Sequence, residues 1–520
     1  LIALLTSPWT AAVATGLLLT AGFPFFNVFG ASWIALIPLL ARIGNMPLRN
    51  AFRAGFVAGF VHNLTALSWI TYVVTHYGNL PLPVSAAVLC LLCAYLALYP
   101  AVFFTAARRW HASPGLWVWG LPCLWIALEW VRAHALTGFP WTNVGYTQTA
   151  VEPLLQTADI AGVYGAGWLV IYGNVLLAGL LLRKVGLRSV AAAVLCFALF
   201  FGYGMWRGQN LREYPSAAAA ALRVALIQGN IDQSVKWDPA FQQKTLEIYR
   251  DLSEAALQDN PPDLLIWPET AAPFFYGLEE TPTRMLHAIA ASLNVPTVLG
   301  IPWVISDGSA VRLQNRAVLF HPTDGIVAAY AKRHLVPFGE YVPLKRLLFF
   351  VEKLVAAAGD FVPGTSPAVF SFQNAPFGVL ICYEAIFPEL ARDAVRHGAR
   401  FLVNLTNDAW FGRTAAPYQH LEIARWRSVE CRVPLIRCAN TGISAVFDAS
   451  GKTLASLPLN VAGTAGALII PGKETPTFYV RYGDLFAWSC TLTAILCVVY
   501  GERAQRARAT GARKGDRIVL

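Results

Sequence analysis

The stretch Gly378-Val379-Leu380-Ile381-Cys382-Tyr383-Glu384 decides how the chain is read. An apolar run of strand character stops at a cysteine, and an aromatic residue and a carboxylate follow. A thiol at the end of a buried strand can face a cleft while the sheet holds it rigidly, although a free cysteine is also commonly a small buried hydrophobe. Two other runs end in a charged residue in the same way. Leu264-Leu265-Ile266-Trp267-Pro268 delivers Glu269, and Val327-Ala328-Ala329-Tyr330-Ala331 delivers Lys332. Singly, these read as a solvated carboxylate and a surface charge. Jointly, three such strand ends can converge in one cleft, as they do in layered α/β folds. There the carboxylate can take the thiol proton, while the ammonium favours thiolate and stabilises an oxyanion. His334 is the competing base, because side chains at i and i+2 share a strand face.

Strands and helices alternate around these three runs. Strands are predicted at Arg223–Gln228, Leu264–Trp267, Thr297–Ile301, Asn315–Phe320, Ile326–Lys332, Gly378–Cys382, Phe401–Thr406, Leu435–Cys438 and Ser444–Asp448. Helices are predicted at Pro239–Gln258, Thr281–Leu293, Pro388–Arg396 and Gln419–Glu430. This is the pattern of an α/β domain in which helices cover buried sheets.

The rest of the chain is of a different kind. Of its 520 residues, 56% are hydrophobic and only 13% charged, with 17 tryptophans and 30 phenylalanines. That is not the composition of an ordinary soluble protein. Apolar segments near bilayer length, about 20 residues, fall at 4–21, 25–41, 54–75, 83–107, 115–135, 162–182 and 189–206, with one more at 484–502. The first reads as an uncleaved anchor, for want of a small-residue cleavage site. Basic residues crowd alternate loops: Arg42, Arg49 and Arg53, then Arg108 and Arg109, then Arg183, Lys184 and Arg188, then the tail from Arg503 to Arg517. The intervening loops, Gly22–Pro24 and His76–Leu82, carry no lysine or arginine. By the positive-inside rule both termini are cytoplasmic and the segment 207–483 lies outside. The formal charge of +10 thus marks membrane orientation and not nucleic-acid binding.

Some features keep two readings. Trp141 and Tyr146 suit headgroup level, and Glu129 with Arg132, three apart on a helix face, is either an interfacial pair or a lipid-headgroup contact. Cys90-x-x-Cys93 lies in an apolar run and reads as helix packing. Cys431 and Cys438 share the outer compartment with Cys382, and a disulfide between them stays open. Nine histidines without ligand spacing predict no metal site. Two apolar stretches, Leu347–Val351 with Leu354–Ala358 and Ala272–Tyr276, are either lids dipping into the membrane interface (Phe275, Phe349, Phe350) or core packing.

Trp267-Pro268-Glu269, Tyr330-Ala331-Lys332 and Cys382-Tyr383-Glu384 resemble the Glu-Lys-Cys triad of the nitrilase superfamily. Gln228-Gly229-Asn230-Ile231 with Lys236-Trp237, Lys332–Tyr341, Asn404–Gly412 and Thr137–Trp141 with Gly145-Tyr146 resemble the apolipoprotein N-acyltransferase family within it. The resemblance spans essentially the whole chain. It implies a multi-span α-helical membrane domain of about eight helices plus an outer α/β domain, a nitrilase-like αββα sandwich. The division would be 1–206 for seven helices, 207–483 for a periplasmic catalytic domain, and 484–520 for the eighth helix and a basic tail. It further implies a bacterial inner-membrane enzyme. Cys382, deprotonated by Glu269, would take the sn-1 acyl chain of a phospholipid, typically phosphatidylethanolamine, as a thioester. The α-amine of a diacylglyceryl-cysteine at an apolipoprotein N-terminus would then accept it. Lys332 and a backbone N–H after Cys382 would hold the oxyanion, and no nucleotide, metal or other cofactor is required. Glu340 would orient Lys332, Tyr383 and Glu384 would shape the pocket, and Trp237 would join the possible substrate contacts. The rival functions are a membrane-tethered amidase or nitrilase, in which water resolves the thioester, and a catalytically silent lipid-binding scaffold.

Overall fold

The computed structural model describes residues 7–212, 221–258, 260–306, 311–341, 361–367 and 369–515. The chain divides into two compact units, one comprising Leu1–Ser68, Ala87–Trp206 and Asp484–Leu520, the other Trp69–Ala86 and Arg207–Gly483.

The first unit is helical. Among the described residues, Leu82–Arg109, Ala158–Leu181, Leu187–Leu211 and Leu485–Arg503 are long and apolar enough to cross a membrane. The bent pair of Leu48–Ala66, in this unit, and Trp69–His76, assigned to the second, makes a fifth if counted as one span. The other predicted spans are less regular. Pro8–Ala21 has 14 residues. The segment 25–41 is no single helix but a series of short turns, Phe29–Trp33 and Ile37–Leu40, because Asn27 is left-handed and Pro38 cannot donate to a preceding turn. The segment 115–135 passes from a π turn at Leu116–Gly120 into an α-helix, Leu121–His134. Length and composition therefore support four or five spans, and a count of about eight rests on these shorter segments.

Trp141 and Tyr146 do not sit at a surface; both are buried in this unit. Glu129 and Arg132 hold the loop that carries them. Glu129 Oε1 accepts from Trp125 Nε1 at 3.0 Å and from the Val144 N–H at 2.8 Å. Arg132 Nη2 donates to Asn143 Oδ1 at 2.8 Å and lies 3.9 Å from Glu129. Inside an apolar unit this pairing keeps two charges from being stranded.

The second unit contains two six-stranded sheets. With β1 Leu222–Gln228, β2 Leu264–Ile266, β3 Thr297–Ser306, β4 Val311–His321, β5 Gly325–Ala331 and β12 Gly463–Ile469, the first runs β12-β1-β2-β3-β4-β5. With β6 Val369–Phe370, β7 Phe377–Ile381, β8 Phe401–Thr406, β9 Leu435–Ala439, β10 Ser444–Phe447 and β11 Thr453–Leu457, the second runs β11-β10-β9-β8-β7-β6. Strands β1, β2 and β3 are parallel, as are β7, β8 and β9. Parallel strands of this kind are buried on both faces, which is why β7 and β8 read as unbroken apolar runs.

Side-chain alternation builds the layers. Val224, Leu226, Leu264 and Ile266 of one sheet meet Phe377, Val379, Ile381, Phe401, Val403 and Leu405 of the other in a single core. Their neighbours Ala225, Ile227 and Leu265 turn outward to Leu246, Tyr249, Leu286 and Ile289 on the helices Pro239–Leu257 and Glu280–Leu293. On the far side, Leu380, Leu402 and Leu435 meet Ala391, Ala394 and Ala424 on the helices Pro388–Arg396 and Ala416–Cys431. The order is helix, sheet, sheet, helix, the expected αββα sandwich. The sequence reading omits β6, β11 and β12. Cys431 and Cys438 are both free.

Candidate active site

Three strand ends meet. Glu269 follows β2, Lys332 follows β5 and Cys382 follows β7, and all three side chains are buried. The backbone at Glu269 is held close to β3. The Gly300 N–H donates to Pro268 O at 3.1 Å, and a Cβ at Gly300 would fall 2.6 Å from Glu269 Cα. Only glycine lets the strand pass there.

Lys332 Nζ donates to Glu340 Oε1 at 2.9 Å and lies 3.7 Å from Glu269 Oε1. Asn315 bridges the two carboxylates, its Nδ2 donating to Glu269 Oε1 at 2.7 Å and to Glu340 Oε1 at 3.2 Å. Glu340 Oε2 accepts the Val336 N–H at 2.8 Å, which fixes that carboxylate in turn. Burial alone would lower the Lys332 ammonium, but Glu340 and then Glu269 outweigh it and hold it above its ordinary value. Among the described residues Glu269 Oε2 is buried with no hydrogen-bond partner. One carboxylate oxygen is thus pinned and the other is left open.

Burial, and next the Glu269 carboxylate, push the Cys382 thiol up to about 12 against the opposing pull of Lys332. The Lys332 ammonium pulls towards thiolate, but desolvation outweighs it. The backbone turns sharply at this residue. Strand alternation would send Cys382 outward with Leu380, but φ of +51° breaks the strand, and Cys382 joins the core between the sheets. A β-carbon in the left-handed region is strained, so the turn must be held from outside.

Glu384 is one of its braces. Its Oε2 accepts the Ile381 N–H at 2.7 Å. Its Oε1 accepts from Tyr330 Oη at 2.8 Å, the Arg333 N–H at 2.7 Å and the His334 N–H at 3.1 Å. The carboxylate ties the end of β5 to the end of β7, and so Lys332 to Cys382. It is a fully buried tie. Tyr383 packs on Phe387 with ring centres 5.2 Å apart, and His334 stacks on the same ring at 3.7 Å. His334 is therefore built into the brace.

Lys236 is buried beside Glu269, with Nζ donating to the Glu269 carbonyl at 3.2 Å. Burial lowers its ammonium to about 8, with Glu269 opposing. Its neighbour Trp237 is 45% exposed. The lid reading of Ala272–Tyr276 is corrected: Ala272 and Phe274 lie in the core beneath the helices, and Tyr276 stacks on Trp303 at 5.4 Å. Phe275 is half-buried, and its N–H donates to Glu279 Oε1 at 2.8 Å. Phe349 and Phe350, with the rest of the 342–360 stretch, lie outside the described residues.

Sequence reasoning assigned no role to Asn315, Lys236, or the buried group Asn404, Asp408, His420 and Arg437. Arg437 offered a signal, since a charge inside the apolar run Leu435–Ala439 needs a buried partner. Asp408 is that partner, at 2.7 Å.

Two family models cover most of the chain. Residues 15–176 match the Apolipoprotein N-acyltransferase N-terminal domain, and 223–473 match Carbon-nitrogen hydrolase. Among solved structures the chain is similar to an amidase from Nesterenkonia sp., at 22% identity and a TM-score of 0.37 over 51% of this chain and 94% of that one. Curated relatives are much nearer. An apolipoprotein N-acyltransferase of Vibrio vulnificus is 33% identical over 92% of this chain and 94% of its own. One of Geobacter metallireducens is 44% identical over 95% of each chain. Similarity of that extent, running through both units, shows that the chain belongs to the apolipoprotein N-acyltransferase family of the nitrilase superfamily.

Proposed function

We propose that this enzyme moves an acyl chain from the sn-1 position of a phospholipid, through a Cys382 thioester, to the α-amine of an apolipoprotein's diacylglyceryl-cysteine. The observation that carries the chemistry is the open Glu269 Oε2 beside a pinned Oε1, in one buried site with Lys332 and Cys382. A thiol at about 12 is ionised roughly once in 10⁵ at pH 7. Glu269 therefore takes the proton as Sγ attacks, acting as a general base. Lys332 Nζ and the Tyr383 N–H receive the negative charge on the former carbonyl oxygen. The lysophospholipid alkoxide leaves with the proton from Glu269, and a thioester remains. The free amine then attacks the thioester, Glu269 takes a proton from nitrogen, and Cys382 leaves and is reprotonated. Amide formation from a thioester is downhill, so the transfer needs no nucleotide or metal.

Glu340 and Asn315 orient Lys332 and Glu269, and Glu384 and Tyr383 hold the elbow. The lipid donor is probed first with phosphatidylethanolamine. The full reading has about eight spans, both termini in the cytoplasm and 207–483 on the periplasmic face of the inner membrane. Reporter fusions at the short loops test that orientation.

Incubation of the purified protein with phospholipid and a diacylated lipopeptide, with mass spectrometry of Cys382, tests the reaction. Acylated Cys382 followed by N-acylated peptide is the expected result. Cys382→Ala should abolish both while the protein still folds, and an active Cys382→Ala protein overturns the assignment. The match of 223–473 to Carbon-nitrogen hydrolase keeps an amidase as the second reading. Ammonia release from small amides, without peptide acylation, would favour it.

A further inference from the structure

Behind the elbow lies a polar group that the reaction above does not use. Cys382 O accepts from His420 Nε2 at 3.2 Å and more weakly from Asn404 Nδ2 at 3.5 Å. His420 Nδ1 lies 3.1 Å from Arg437 Nη2 and 3.2 Å from Asp408 Oδ1. Arg437 also binds Asp408 Oδ2 at 2.7 Å, and Thr406 Oγ1 donates to Asp408 Oδ1 at 3.0 Å. All of these side chains are buried.

The geometry fixes a tautomer. A carbonyl oxygen only accepts, so His420 Nε2 must carry a proton. Burial, and next Arg437, hold His420 below its ordinary value although Asp408 opposes them. Neutral imidazole has one proton, which leaves Nδ1 to accept from Arg437. Burial works against the Asp408 carboxylate, yet the Arg437 guanidinium, the largest opposing cause, holds it down to about 2.

The bond reaches the chemistry through one peptide. Cys382 C=O and Tyr383 N–H belong to the same planar trans unit and point in opposite directions. Tyr383 is the second residue of the 3-10 helix Cys382–Ile386, where early N–H groups have no partner within the helix. A donor on the oxygen sets where that N–H points and polarises it.

We propose that His420 is a positioning residue for the oxyanion: by donating to Cys382 O it aims and strengthens the Tyr383 N–H that receives charge from the acyl oxygen. Arg437, itself anchored by Asp408 Oδ2, holds its tautomer. The inference rests on the thioester reaction proposed above, and its test separates the two.

Full-length protein in detergent would be mixed with phosphatidylethanolamine at a series of concentrations. The single-turnover rate of thioester formation is read by intact mass. In parallel, iodoacetamide alkylates Cys382, a displacement at saturated carbon that builds no oxyanion. Removing one oxyanion donor costs about 10²–10³-fold, and a group acting through that donor should cost about 10–100-fold. His420→Asn, too short to reach the carbonyl, should lower the maximal thioester rate by that factor. Half-saturating donor should be unchanged and alkylation should stay within about twofold. His420→Gln, which can place a donor near the Nε2 position, should recover most of the rate. His420→Phe keeps the ring volume without a donor and substitutes if the Asn variant does not fold. A wild-type thioester rate in a folded Asn or Phe variant overturns the proposal. So do parallel losses in both assays, or a Gln variant no better than Asn. A wild-type protein that forms no thioester overturns the underlying reaction, and this inference with it.

Discussion

The two sides of the Cys382 elbow differ in how their polar groups are satisfied. At the back, Glu384 takes four hydrogen bonds and both Asp408 oxygens are engaged. At the front, Glu269 keeps one oxygen open and meets Lys332 only at 3.7 Å. Both sides are buried, so the difference is not one of solvent access. A saturated buried carboxylate is a fastener, since each bond it accepts lowers the cost of its charge. An unsaturated one is poised to accept a proton. In the proposed reaction, two glutamates of the same site thus divide into base and brace by their partners.

Substitutions should split along that line. Glu269→Gln should have the largest effect, a fall of about 10²–10⁴-fold in thioester formation for loss of a general base, with the melting temperature nearly kept. A large loss of stability would break the comparison from the front. Glu384→Gln should do the reverse and destabilise the fold by about 3 kcal/mol, because an amide NH₂ then faces backbone donors. That corresponds to a fall of several degrees in melting temperature, and an unshifted melting curve would remove Glu384 from the role of brace. Asn315→Ala is intermediate. It frees the pinned Glu269 Oε1, and the rate of acylation should drop about 10-fold to 100-fold, as for a misplaced catalytic group, with little change in half-saturating donor.

The three strand-end residues at the front were legible in the sequence and the group around His420 at the back was not, for a physical reason. Glu269, Lys332 and Cys382 each interrupt an apolar run at its end, a local signal. The central strands announce themselves because burial on both faces demands continuous apolar residues. Strands β11 and β12 are edge strands of partly exposed residues, and Gly463–Ile469 holds two glycines and two alanines, so its pairing with β1 comes from tertiary contact and not from propensity. Asn315 sits among Arg312, Gln314 and Arg316 in β4, where polar residues look like a solvated face. The group around His420 assembles from β8, the turn after it, a helix and β9, and Arg437 finds Asp408 across 29 positions. The apolar run after Glu269 was open to a lid or a core reading because periodicity cannot separate them. Packing of Phe274 between strand and helix does.

Lys236 is the case that strains the division, because it is a buried cation at the front whose Nζ donates to the Glu269 carbonyl. Its ammonium is lowered by burial to about 8 from a usual 10.5. A depressed lysine means that between pH 8 and 10.5 the unfolded chain binds more protons than the folded one, so this residue makes stability rise with pH across that window. Below pH 8 it is charged in both states, and the folded state carries the full penalty, about 3 kcal/mol at 1.36 kcal/mol per pH unit. Other buried groups act oppositely, since Cys431 and Cys438 are pushed up to about 12 by burial. The quantity to follow is therefore the difference in melting temperature between wild type and Lys236→Met, measured from pH 7 to 10. Methionine removes the charge at similar length, so the variant should gain on wild type at pH 7 and lose that advantage as pH approaches 10. A difference that is flat in pH would mean that the ammonium is as well solvated in the fold as outside it. In that event the front of the site would hold its charges as comfortably as the back.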